Sequence, residues 1–143
     1  MSASRGTRQM GLQYEPDNLM PHFTIQGKFP SLNEYLAACG RNPHVGAKLK
    51  REYMMLVVNA IRRQVDRHYK ASKPLIVHFR YFEPTRRRDK DNIDSLCRKY
   101  VFDGLQVAGI IDNDGWDEIE NYTHDFFVDK KNPRIEVYLE EVM

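Results

Sequence analysis

Between positions 47 and 70 the apolar residues Leu49, Tyr53, Leu56, Val57, Ala60, Ile61 and Val65 recur every three or four places, which predicts a long helix with one buried face. Most of the segment's basic side chains fall on the other face. Such a helix needs a partner surface, and the flanking segments read as strands. Residues 23–29 alternate apolar with polar side chains up to Pro30, and residues 74–82 are rich in β-branched and aromatic types up to Pro84. Residues 31–46, with their Gly, Asn and Pro, read as a loop holding at most a short helical turn near Leu36.

A second helix is predicted over 92–108, capped by Asn92 and stopped by Gly109, with Ile93, Leu96, Tyr100, Val101 and Leu105 as its buried stripe. Residues 119–128 and 134–142 read as strands joined in a hairpin through 129–133. The predicted order is β-α-β-α-β-β, an α+β fold with a small mixed sheet and packed helices. Residues 1–18 lack periodicity and read as a flexible tail, leaving 19–143 as one domain.

Charge narrows the function. The net charge is only +2, but eight Lys and Arg face two acids between Arg41 and Lys70, whereas seven acids meet no Lys or Arg between Asp103 and Asp125. A general nucleic-acid coat would be basic throughout; a basic approach surface around an acidic pocket suits a metal-dependent nuclease. The simpler alternative for the 41–70 segment is a solvated helix face. No apolar run approaches a membrane span and no signal peptide is visible, which predicts a cytoplasmic protein with no membrane partner. Cys39 and Cys97 form no C-x-x-C pattern and read as reduced thiols, and the five histidines form no metal-binding set.

The chemistry concentrates in Arg86-Arg87-Arg88-Asp89-Lys90-Asp91-Asn92. If this stretch is extended, Asp89 and Asp91 point to one side and can share a divalent cation, directly behind three guanidinium groups suited to backbone phosphates. A second acidic knot, Asp112-Asn113-Asp114-Gly115-Trp116-Asp117-Glu118, offers further oxygen ligands. As an EF-hand it fails, because Trp116 would occupy its fifth position. Trp116 itself reads as a core or interface anchor in preference to a base-stacking residue. The alternative for the aspartate pair is a surface ion-pair cluster with a helix cap.

These runs, together with Lys99-Tyr100-Val101-Phe102-Asp103-Gly104-Leu105, Gly109-Ile110-Ile111-Asp112-Asn113-Asp114 and Pro30-Ser31-Leu32-Asn33, resemble the RusA family of Holliday junction resolvases over about residues 23–142. The resemblance implies a small homodimeric endodeoxyribonuclease of bacteria and their prophages. It would act on four-way junctions in DNA recombination and repair with Mg2+, Mn2+ being the expected substitute, and without an organic cofactor. Asp89, Asp91 and Asp114 become the metal-binding carboxylates, with Asp112 auxiliary. The family's functional lysine falls four places after the second Asp of the motif, where this chain has Ser95; aligned from the downstream Phe102-Asp103-Gly104-Leu105 it becomes Lys99, with Arg98 and Lys90 as substitutes. Arg86, Arg87, Arg88, Lys48, Lys50 and Arg51 are the expected DNA contacts. Asn33 is a DNA contact or a turn residue.

Chain reach adds a geometric expectation. A helix over 92–108 is about 25 Å long and residues 109–114 extend at most about 20 Å, so Asp114 struggles to return to Asp91 within one subunit. Two copies packing this helix antiparallel would let Asp114 of one complete the site of the other. Other readings are a metal-dependent nuclease acting on other branched DNA or structured RNA, and a non-enzymatic phage regulator that binds DNA through the basic helix.

Overall fold

The β-branched and aromatic run predicted as the second strand lies in the middle of the sheet, covered on both faces. The computed structural model describes residues 11–142. Its elements are β1 (His22–Gln26), α1 (Leu32–Arg41), α2 (Pro43–Gln64), β2 (Leu75–Glu83), α3 (Lys90–Val107), β3 (Ile119–Val128) and β4 (Arg134–Glu141). The four strands form one mixed sheet in the order β1-β4-β2-β3. β4 pairs antiparallel with β1 and β2, and β3 lies parallel to β2. The fold is α+β, as the sequence predicts.

On the helix side of β2, Leu75, Val77, Phe79 and Tyr81 are fully buried. Val57 and Ile61 of α2, with Val101 and Leu105 of α3, complete that core. Each such side chain contributes roughly 1.5–3 kcal/mol by leaving water. The two helices pack closely because of Gly104: a Cβ there would lie 2.6 Å from Cγ1 of Val57. Tyr53 meets Tyr100 and Val57 meets Gly104, so α2 and α3 run in the same direction and start at the same end of the molecule.

Three expectations are corrected. The predicted hairpin does not form: β2 lies between β3 and β4, so 129–133 bridges over the end of β2, where Asp129 N–H donates to Glu83 O at 2.8 Å. The more apolar β2 takes the central place, which a direct β3–β4 pairing would deny it. The stretch 31–46 is mostly helix. Ser31 caps α1 in a reciprocal box with Glu34, then Asn42 caps α2 with Pro43 at its first position. Of the expected tail, residues 1–10 lie outside the described residues, but Tyr14 is buried. Its ring stacks on His78 at 3.7 Å, and the Gln13 and Tyr14 N–H groups donate to Asp125 at 2.7 and 3.0 Å. A buried carboxylate with unfilled acceptor capacity holds a segment whose own sequence has no periodicity.

α2 starts a turn earlier than predicted and stops at Gln64, where Val65 turns extended into the core and the Asp66 carboxylate accepts from His68 N–H. α3 ends as predicted. Gly109 takes φ +80°, its N–H donates to Gln106 O, and Ile110 N–H reaches back to Leu105 O. Among the described residues no helix is long and apolar enough to cross a membrane. Cys39 and Cys97 are both free.

Candidate active site at the start of α3

The site begins where β2 delivers Glu83 to the end of the sheet. Glu83 is buried and accepts both ends of a fork from Arg88, Nε to Oε1 at 2.9 Å and Nη2 to Oε2 at 2.8 Å. Arg88 also donates from Nη1 to Phe29 O at 2.6 Å and lies 3.4 Å from Glu34 of α1. Burial opposes the charge on Arg88, but the bonds and charge of Glu83, and then of Glu34, hold its pKa above the ordinary arginine value. Arg88, expected as a DNA contact, is a structural clamp held between two carboxylates. Arg86 and Arg87 on the same loop are exposed.

Asp89 is the N-cap of α3, with an extended backbone at φ −70°, ψ 148° and no side-chain capping bond. Asp91 lies within the first helical turn and is exposed. The two acids thus straddle a loop-to-helix transition; the extended backbone expected from the sequence ends at the first of them. Among the described residues neither forms an ion pair with Lys or Arg, and Asp89 is not used as a hydrogen-bonding cap. An ion-pair cluster or simple cap therefore does not account for them. The positive end of the α3 dipole favours both carboxylates.

Two clefts flank this turn and share Lys90 and Phe126. One, of about 660 Å³, is bounded by Asp91, Asp94, Ser95 and Arg98 of α3, by His124 and Asp125 of β3, and by residues 11–13. Its wall holds a buried acidic side chain. Asp94 is 2% exposed, its Oδ1 accepts from the Tyr81 hydroxyl at 2.7 Å, and its Oδ2 accepts from Arg98 Nε at 2.9 Å. Burial first, then the charges of Cys97 and Asp94, push the Tyr81 hydroxyl well above its ordinary pKa, so it stays a donor. The Arg98 guanidinium lies 4.3 Å over the ring of Tyr122. The other cleft, of about 580 Å³, is lined by Arg86, Arg88, Phe127 and Val128 among others.

The remaining predicted residues separate into near and far. Lys48, Lys50 and Arg51 are exposed in the first half of α2, at the same end of the molecule as Asp91, although Lys48 lies 3.9 Å from Glu52. Asn33 is an exposed residue of the first turn of α1; the capping after Pro30 is done by Ser31, so Asn33 has no turn role. Lys99 is not beside Asp91. Eight residues on, it stands about 12 Å along the helix, exposed and 3.7 Å from Asp103. Lys90 and Arg98 are the cations that line the cleft with Asp91.

Asp114 is far away. It follows the C-terminal end of α3, an 18-residue helix about 27 Å long. The acidic knot is tied there to the entry of β2, through Lys70–Asp112 at 2.8 Å and Ala71 N–H to Ile110 O. Trp116 is 97% exposed, which excludes it from the core of this chain. Among the described residues no three His, Cys, Asp or Glu side chains are grouped to hold a metal ion. One chain thus brings Asp89 and Asp91 to one turn and leaves Asp114 at the opposite end.

Sequence reasoning missed Asp94 and His124. Asp94 carried a readable signal, since Arg98 follows it at i+4 on a predicted helix. His124 carried none, because only the parallel β2–β3 pairing brings it beside α3. Set against known proteins, the chain matches no family model and no curated protein.

Proposed function

We propose that this chain is a metal-dependent endonuclease that cuts branched DNA, in the manner of the junction resolvases its motifs resemble. The observation that carries the reading is a pair of exposed carboxylates, Asp89 and Asp91, whose side chains make no capping bond and no ion pair with Lys or Arg among the described residues. They sit beside Lys90 and the exposed Arg86 and Arg87. Such acids cost little where a hard cation neutralises them, and the adjacent guanidinium groups suit a strand's phosphates. Magnesium bound there would polarise the phosphate and acidify an attacking water.

Two carboxylates are a partial ligand set. Asp94, one turn on, is committed to Tyr81 and Arg98, so the third acid is expected from Asp114 of a second copy. The exposed basic first half of α2 lies at the same end and would extend the track for DNA.

The test is magnesium-dependent nicking of a synthetic four-way junction against linear duplex of the same sequence. Preferential, paired nicking of the junction is expected, abolished by EDTA and restored by Mg2+ or Mn2+. Equal cutting of both would move the reading to a less selective nuclease. Binding without cutting in either metal would favour a DNA-binding regulator.

A further inference from the structure

We infer that His124 is an acid–base residue of this site, an assignment that rests on the nuclease reading above. His124 stands on β3 and faces the first turns of α3. Its Nδ1 is buried and lies 3.3 Å from Asp94 Oδ2, without a directed hydrogen bond in this arrangement. The side chain as a whole is 39% exposed and lines the cleft shared with Asp91; with Nδ1 turned to Asp94, Nε2 is the ring nitrogen left for chemistry in that cleft.

The surroundings suit proton transfer. The Asp94 side chain is held in place by two donors, Tyr81 from behind on β2 and Arg98 along α3. A small rotation of the imidazole completes an Nδ1–H bond to Asp94, which sets the tautomer that leaves Nε2 free to accept a proton. Lys90 and Asp91 line the same cleft, Asp125 follows on the strand, and Tyr122 meets the ring edge-on at 6.0 Å. From the N-terminal segment, Gln13 Oε1 accepts the His124 backbone N–H at 2.7 Å and holds this part of the strand edge.

The step balances without a further reagent. Nε2 takes a proton from the attacking water as the water oxygen bonds to phosphorus. The bond from phosphorus to the 3′ oxygen breaks, and that oxygen leaves with the bonding pair and takes a proton from solvent. His124 then returns its proton to bulk water. Asp94 is a positioning residue.

The experiment compares wild type with His124→Gln and His124→Gly in single-turnover nicking of a four-way junction with Mg2+. Junction binding is measured separately without magnesium. Nicking should fall about 10²–10⁴-fold with binding unchanged, and added imidazole should restore part of the activity of His124→Gly. Wild-type rates in His124→Gln, or no rescue of His124→Gly by imidazole, would each overturn the assignment. So would an unfolded variant, because it would make the ring a structural part. A wild type that binds the junction but never nicks it removes the parent reading and this one together.

Discussion

Arg86, Arg87 and Arg88 are identical letters with different physical roles. Arg88 shares a buried fork with Glu83, so Arg88→Ala leaves that carboxylate unpaired and should cost about 3–5 kcal/mol in denaturant unfolding. Arg88→Lys should recover little, because an ammonium cannot form the fork. Arg86→Ala and Arg87→Ala should change stability by no more than about 0.5 kcal/mol while weakening junction binding and flattening its salt dependence. Unfolding curves and binding titrations at several salt concentrations separate the two classes. The clamp also predicts an acid sensitivity. Burial raises the Glu34 pKa, but the Ser31 backbone and hydroxyl bonds, and then Arg88, outweigh it and hold it below the ordinary glutamate value. A depressed carboxylate stabilises the fold above its unfolded pKa and loses that contribution as pH falls through the folded one. Wild type should therefore lose stability below the ordinary glutamate pKa, about 4.3, and Glu34→Gln should lose less.

Among the elements, α3 organises both the core and the site, and Gly104 is its tightest point. Gly104→Ala should destabilise by about 1–3 kcal/mol, because Val57 must move to admit the methyl group; calorimetry or urea unfolding checks it. The stripe Ile93, Leu96, Tyr100, Val101 and Leu105 was legible because every member is buried at helical spacing, and Gly109 because only its positive φ closes the helix that way. The strand identities were legible for the same local reasons. Their order was not: the hairpin expected across 129–133 depended on which strand takes the centre, a competition between whole strands that no local pattern records. α1 was read as no more than a short turn near Leu36 because Gly40, Asn42 and Pro43 read as loop, when Asn42 and Pro43 close one helix and open the next. Leu56 was assigned to the buried stripe of α2 and is half exposed, since the helix turns its Val57–Ile61 side to the sheet.

At the scale of the whole molecule, α3 separates Asp91 from Asp114, and the proposed site is complete only if a second copy supplies Asp114. An equal mixture of Asp91→Asn and Asp114→Asn should recover partial nicking when each variant alone has none, because one heterodimer arrangement keeps a site with all its acids. No recovery would remove the shared site while leaving a site built in one chain open. The acid pair was legible from the motif, whereas its partner's distance followed only from helix length and the paired Asp94–His124 wall only from the sheet. The central claim is that Asp89 and Asp91 hold the metal that cuts DNA. Magnesium-dependent nicking of a four-way junction by wild type and by a folded Asp91→Asn variant tests it most directly. The account predicts a loss of about 10²-fold or more, the scale of several kcal/mol of metal-based stabilisation, with junction binding retained. Undiminished nicking by Asp91→Asn would contradict it.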